Sequence, residues 1–138
     1  MNHPPLTFTL PRTLVNQLLH HAQQVEDKEV CGIISGSEGR AIRSHPITNI
    51  AASPACRFEM EPKQLIDTLK QMRERNEELF AIYHSHPQSP ATPSKTDIDE
   101  AGYPEALYLI ISLSTKGVLE MRGFKIHREE VTEVCLEV

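Results

Sequence analysis

No run of apolar residues in this chain approaches the roughly 20 that a membrane-spanning helix needs. Its first residues, MNHPPLTFTLPRTL, show no basic segment leading into a long apolar one, so neither a membrane anchor nor a secretory leader is expected. Positive charge is not in excess either. Fourteen Lys and Arg against nineteen Asp and Glu give a net charge of -5, which leaves no electrostatic footprint for DNA or RNA. Cysteine is sparse: Cys31, Cys56 and Cys135 are odd in number, widely spaced and include no CxxC pair. A disulfide framework is therefore not expected, and free thiols in a reducing, cytoplasmic compartment are. Repeats, linkers and low-complexity tracts are lacking. With 39% apolar and 24% charged residues over 138 positions, one globular domain spanning 1–138 can bury a core without disulfides or a structural metal.

The apolar pattern switches between two periods. Leu6, Phe8 and Leu10 alternate with Thr7 and Thr9 as a short strand that Pro11 stops. Leu14, Val15, Leu18 and Leu19 then recur at helical spacing, predicting a helix from Pro11 to about Gln24, ended by the polar EDKE. Val30 to Ile34 reads as a strand, and Gly36-Ser37-Glu38-Gly39 as the turn toward a partner at Arg40 to Ile47. A second amphipathic helix is predicted from Pro62 to about Asn76, with Leu65, Ile66, Leu69 and Met72 on its apolar face. Leu79 to Tyr83, Leu107 to Leu113, Val118 to Phe124 and Val131 to Val138 read as further strands, the middle two of these joined by a Ser-Thr-Lys-Gly turn. Strands interleaved with two or three helices imply an α/β (α+β) domain, helices packed on one curved sheet.

One segment stands apart. HSHPQSPATPSKTD, from His84 to Asp97, follows directly on a buried-looking strand. If that strand stays extended through His86, residues i and i+2 share a face and the two imidazoles lie side by side. The S-x-x-D spacing of Ser94 and Asp97 is a helix-start signature, with Ser94 as N-cap. A strand end and a helix start joined by so short a loop can bring Asp97 back to the histidines. The product is a His₂Asp set with a fourth position open for water, the arrangement of catalytic zinc sites. Taken singly, H-x-H occurs by chance and S-x-x-D is more often only a cap. His3, His20, His21, His45 and His127 lack a partner at a useful spacing and read as structural or solvent-facing.

Hydrolysis at such a site needs a base and a group that stabilises an oxyanion. Glu29, at the edge of the apolar VCGII strand, is the best-placed acid, although it also closes the charged EDKE run and could merely face solvent. Ser94 could offer its hydroxyl to the oxyanion if capping leaves it free.

Glu29, then His84-Ser85-His86-Pro87, QSPATP and Ser94-Lys95-Thr96-Asp97 resemble the motif of the JAMM/MPN+ metalloprotease family, of the small stand-alone bacterial type. The similarity extends to EVCGIISG, RFEMEP and YPEALYLIISLS, most of the chain. It implies one zinc ion per chain bound by His84, His86 and Asp97, Glu29 as general base, and Ser94 supporting the tetrahedral intermediate. Cys31 matches the family's C-G after the glutamate and is expected to be a packed apolar side chain. The implied fold is a curved mixed β-sheet flanked by helices, the JAMM/MPN fold, with a cytidine-deaminase-like layout. The deaminase signature H-x-E with P-C-x-x-C is missing, so deamination is not expected. Little room for an insertion exists between Asp97 and Leu107. The resemblance therefore implies a compact peptidase or isopeptidase acting at the C-terminal Gly-Gly end of a ubiquitin-like or sulfur-carrier protein. Two alternatives are a RadC-like DNA-repair-associated protein, whose kind lacks the E-V-C-G strand, and a non-catalytic MPN scaffold that has lost its ligands.

Overall fold

A computed structural model describes residues 6–115 and 118–138. His3 and the Lys-Gly half of the Ser-Thr-Lys-Gly turn lie outside the described residues. Seven strands form one mixed sheet in the order β1-β7-β6-β5-β4-β2-β3. In chain order the elements are β1 (Thr7–Thr9), α1 (Arg12–Gln24), β2 (Cys31–Ser37), β3 (Arg40–Ile47), α2 (Pro62–Glu74), β4 (Glu78–His86), α3 (Lys95–Glu100), β5 (Leu107–Thr115), β6 (Val118–His127) and β7 (Glu130–Glu137). The β1–β7 and β4–β5 pairs are parallel and the other ladders antiparallel. This is the mixed, helix-flanked sheet expected from the sequence.

β5 shows why its sequence reads as an unbroken apolar run. Leu107 to Ile111 are all buried, since the strand is covered on both faces. Leu107, Leu109 and Ile111 pack with Leu14, Val15 and Leu18 of α1, whereas Tyr108 and Ile110 pack with Ile82, Phe124 and Ile126 on the other face. Each such side chain removed from water contributes about 1.5–3 kcal/mol.

Two expectations change in detail. Glu38 and Gly39 alone make the β2–β3 turn, with φ of 53° and 78°; a two-residue turn with both central residues left-handed matches the strand twist, so Gly36 and Ser37 stay in β2. On α2, Met72 is buried against Ile33 and Ile47, but Ile66 is 64% exposed. At 100° per residue Ile66 lies well round the helix from Leu65, Leu69 and Met72, so it cannot share their face.

β2 and β4 approach closely at Gly32. A Cβ there would lie 2.5 Å from both the Tyr83 hydroxyl oxygen and the His45 carbonyl oxygen. The backbone on one side cannot yield, so Gly32→Ala is expected to cost about 1–3 kcal/mol through overpacking. Urea denaturation would show a lower midpoint at unchanged slope; an unaltered midpoint would disprove the close-approach argument.

Candidate metal centre

β4 delivers the two histidines. It stays extended through His86, with Tyr83 turned into the α1 side of the core and His84 and His86 toward the α2 and α3 side. Their Nε2 atoms are 3.1 Å apart. Asp97 Oδ2 lies 3.1 Å from His84 Nε2 and 3.0 Å from His86 Nε2. The helix start aims that carboxylate: the Asp97 N–H donates to Ser94 Oγ at 3.1 Å, and the Ser94 N–H donates to Asp97 Oδ2 at 2.9 Å. This reciprocal pair is the capping box anticipated from S-x-x-D.

Two nitrogens and one oxygen thus form a nearly equilateral triangle. Zinc bonds of about 2.0–2.1 Å in tetrahedral geometry set ligand atoms about 3.3 Å apart, so the triangle has the size a metal ion requires. The surroundings fit as well. In its neutral form His86 can donate its Nδ1–H to the Pro90 carbonyl at 2.8 Å, which leaves Nε2 as the lone-pair nitrogen a metal ion needs. His84 is fully enclosed. The donor set suits a metal ion, and these residues fit one.

Glu29 joins the cluster from β2's edge. Cys31 is registered opposite His84, and one step further Val30 faces Ser85: the Val30 N–H donates to Ser85 Oγ at 2.8 Å and the Ser85 N–H to the Val30 carbonyl at 3.0 Å. That continuation places Glu29 beside His86. Ligand atoms of Glu29, His84, His86 and Asp97 all lie within 4.8 Å of one another. Glu26, Asp27 and Lys28 remain exposed while Glu29 is 4% exposed, so the solvent-facing alternative for Glu29 does not apply. Among the described residues its Oε1 has no hydrogen-bond partner.

Electrostatics separate the four groups. Burial raises the Glu29 carboxyl to about 7, against the pull of His86 and with the help of Asp97. Burial also acts to raise Asp97, but hydrogen bonds from His84, His86 and Ser94 outweigh it and hold that carboxyl well below the usual range. Desolvation lowers His84. Desolvation opposes the charge on His86 too, yet Asp97 and the Pro90 carbonyl raise it on balance. Cys31 is buried with its thiol donating to the Ile47 carbonyl, and burial raises it to about 12, as suits a packed side chain rather than a nucleophile.

A pH effect follows for metal-free protein. The folded-state pKa of Glu29 lies above its unfolded value of about 4.3. Its protonated form therefore contributes stability that is complete below that value and lost as pH rises through about 7. Glu29→Gln is expected to gain stability relative to wild type between about pH 5 and pH 8. Denaturation midpoints of chelated protein check this, and a constant difference across that range would refute it.

Several residues here carried no recognised signal. Ser85, the x of H-x-H, anchors the backbone next to Glu29. Pro90 supplies its carbonyl to His86. Phe58 stacks on His84, and Asn49 bonds the Glu29 carbonyl from a loop distant in sequence. Ser85 was legible in principle from its place between two ligands; Asn49 was not, because its partners meet only in the folded chain.

Comparison with known proteins fits this geometry. The family of prokaryotic homologs of the JAB domain matches residues 11–126. The chain belongs to this family. It is the metallopeptidase family that the motif resembles, and its members are metal-dependent. A CysO-cysteine peptidase of Mycobacterium tuberculosis is 34% identical over 127 residues, covering 91% of this chain and 86% of that protein. A desampylase of Haloferax volcanii is 37% identical over 86 residues, 61% of this chain; the match spans 62% of that protein's length. The solution structure of a Desulfitobacterium hafniense protein superposes with a TM-score of 0.81 at 32% identity, covering 94% of this chain and 90% of that one. No helix among the described residues is long and apolar enough to cross a membrane.

Proposed function

We propose that this chain is a zinc-dependent metallopeptidase, a single domain over 1–138 that hydrolyses a peptide or isopeptide bond at the C-terminal Gly-Gly end of a ubiquitin-like or sulfur-carrier protein. The observation that carries this is the triangle of His84, His86 and Asp97 with the buried Glu29 carboxylate beside it. His84, His86 and Asp97 would hold one zinc ion, which when bound supplies a Lewis acid that polarises the scissile carbonyl and acidifies water. Glu29 takes the proton from attacking water and returns it to the leaving amine. A base with a pKa near 7 can do both at neutral pH. Ser94 Oγ accepts the Asp97 N–H through one of its lone pairs; its hydroxyl proton stays available to a developing oxyanion.

The CysO-cysteine peptidase, aligned over 91% of this chain, supports the substrate class. Neither nucleic acid nor membrane enters this reading, and free thiols at Cys31, Cys56 and Cys135 suit the cytoplasm. A RadC-like role is disfavoured by Glu29 standing at the cluster, and a scaffold by the presence of every ligand.

The test is to incubate zinc-loaded protein with sulfur-carrier proteins bearing C-terminal extensions and to follow the carrier's mass. Release of the extension is expected. Intact carriers would overturn the substrate assignment, and a chain that takes up no zinc at neutral pH would favour the scaffold.

A further inference from the structure

The two histidines are held in different ways. His86 is fixed by a hydrogen bond from its second ring nitrogen to the Pro90 carbonyl. His84 has no counterpart: its Nδ1 is buried and, among the described residues, unpartnered. A metal-binding imidazole is normally oriented through that second nitrogen. What touches the His84 ring instead is Phe58, stacked with centroids 4.5 Å apart and planes inclined by 27°.

Phe58 is itself clamped. Asn49 uses both halves of its amide: Nδ2 donates to the Glu29 carbonyl at 3.0 Å and to the Arg57 carbonyl at 3.1 Å, and Oδ1 accepts from the Ala51 N–H and the Glu59 N–H, both at 3.0 Å. The Arg57 and Glu59 contacts straddle Phe58 and fix the backbone that presents its ring. The Glu29 contact ties the same amide to the backbone of the proposed base. An Ile50 N–H to Glu59 carbonyl bond and the Asn49–Met60 bridge complete this short paired segment.

We infer that Phe58 is the positioning residue for His84, replacing by aromatic stacking the hydrogen bond that His86 donates to the Pro90 carbonyl, and that Asn49 acts through Phe58 by holding it against the ring. The inference rests on the proposed metal site. It concerns the orientation of a side chain of this protein, so it can be read both with and without metal. Removing groups that orient a metal-binding imidazole typically weakens the metal 10–100-fold.

Zinc affinity of the full chain, measured by competition with a chromophoric chelator, is expected to fall about 10-fold in Phe58→Ala and to return to the wild-type value in Phe58→Tyr, which keeps the ring face. Asn49→Ala is expected to weaken zinc as well, and the double variant to bind no worse than Phe58→Ala. In metal-free protein, imidazole nitrogen NMR signals of His84 are expected to broaden in Phe58→Ala while those of His86 stay sharp. Wild-type affinity in Phe58→Ala, or unchanged His84 signals, would overturn the role of Phe58. Multiplying losses in the double variant would overturn the route through Asn49. Should Phe58→Ala fail to fold, Phe58→Leu fills much of the same volume without a ring face and decides the same question. If wild type binds no zinc, the metal-site proposal fails, and the His84 spectrum alone then decides this one.

Discussion

Replacing Glu29 with glutamine is expected to lower kcat by about 10²–10⁴-fold, the usual contribution of a positioned acid or base, with zinc content unchanged. The three atoms that close the triangle belong to His84, His86 and Asp97, so the exchange leaves the proposed ligands intact. Glutamine matches glutamate in shape, and the bonds that seat this backbone come from Pro54, Asn49 and Ser85, which act on main-chain atoms of Glu29 and Val30. What disappears is the proton acceptor. A neutral amide also escapes the desolvation that raises the Glu29 pKa to about 7, and a denaturation curve of the variant separates lost activity from unfolding. Single-turnover cleavage alongside metal analysis measures both quantities. Full turnover in Glu29→Gln would remove this residue from the mechanism.

Asp97→Ala is the second large effect, and it should strike metal and fold together. Structural zinc sites bind with about 10–16 kcal/mol in all. One ligand of three or four therefore accounts for roughly 3–5 kcal/mol, or about 10²–10⁴-fold in zinc affinity. The same carboxylate accepts the Ser94 N–H as half of the capping box, and losing a cap costs about 0.5–2 kcal/mol of stability. In metal-free protein Asp97 is also the partner of His86. Its pKa lies far below the unfolded value, so the stability it contributes is present above about pH 3.9 and lost as pH falls toward the folded-state value. Asp97→Ala should accordingly be less stable than wild type at neutral pH, with the gap closing in acid. Isothermal titration with zinc and denaturation at two pH values test these two effects. Zinc binding of wild-type strength in Asp97→Ala would exclude this carboxylate as a ligand.

Much of the candidate metal cluster could be anticipated from the sequence because its parts are local. The H-x-H spacing places two imidazoles on one face of any extended strand, and β4 is extended there. S-x-x-D sets a helix start wherever it begins a short helix, and α3 begins there. Glu29 was less secure: beside EDKE it could equally have faced solvent, and only the β2–β4 register, with Cys31 opposite His84, turns it inward. Ile66 shows the reverse error, an apolar residue counted into a helix face that its angular position excludes.

Periodicity gave the strands and the helices packed on them, and the H-x-H and S-x-x-D spacings together with the family resemblance pointed to a candidate His₂Asp set on a mixed sheet, since strand alternation, helix capping and turn chemistry act over a few residues. Only the tertiary structure decided what surrounds that set. Asn49 meets the Glu29 carbonyl across twenty positions, and Phe58 lies on a His84 ring whose second nitrogen has no partner. Such contacts depend on strand register and on the path of a loop, which are settled by how the whole sheet packs.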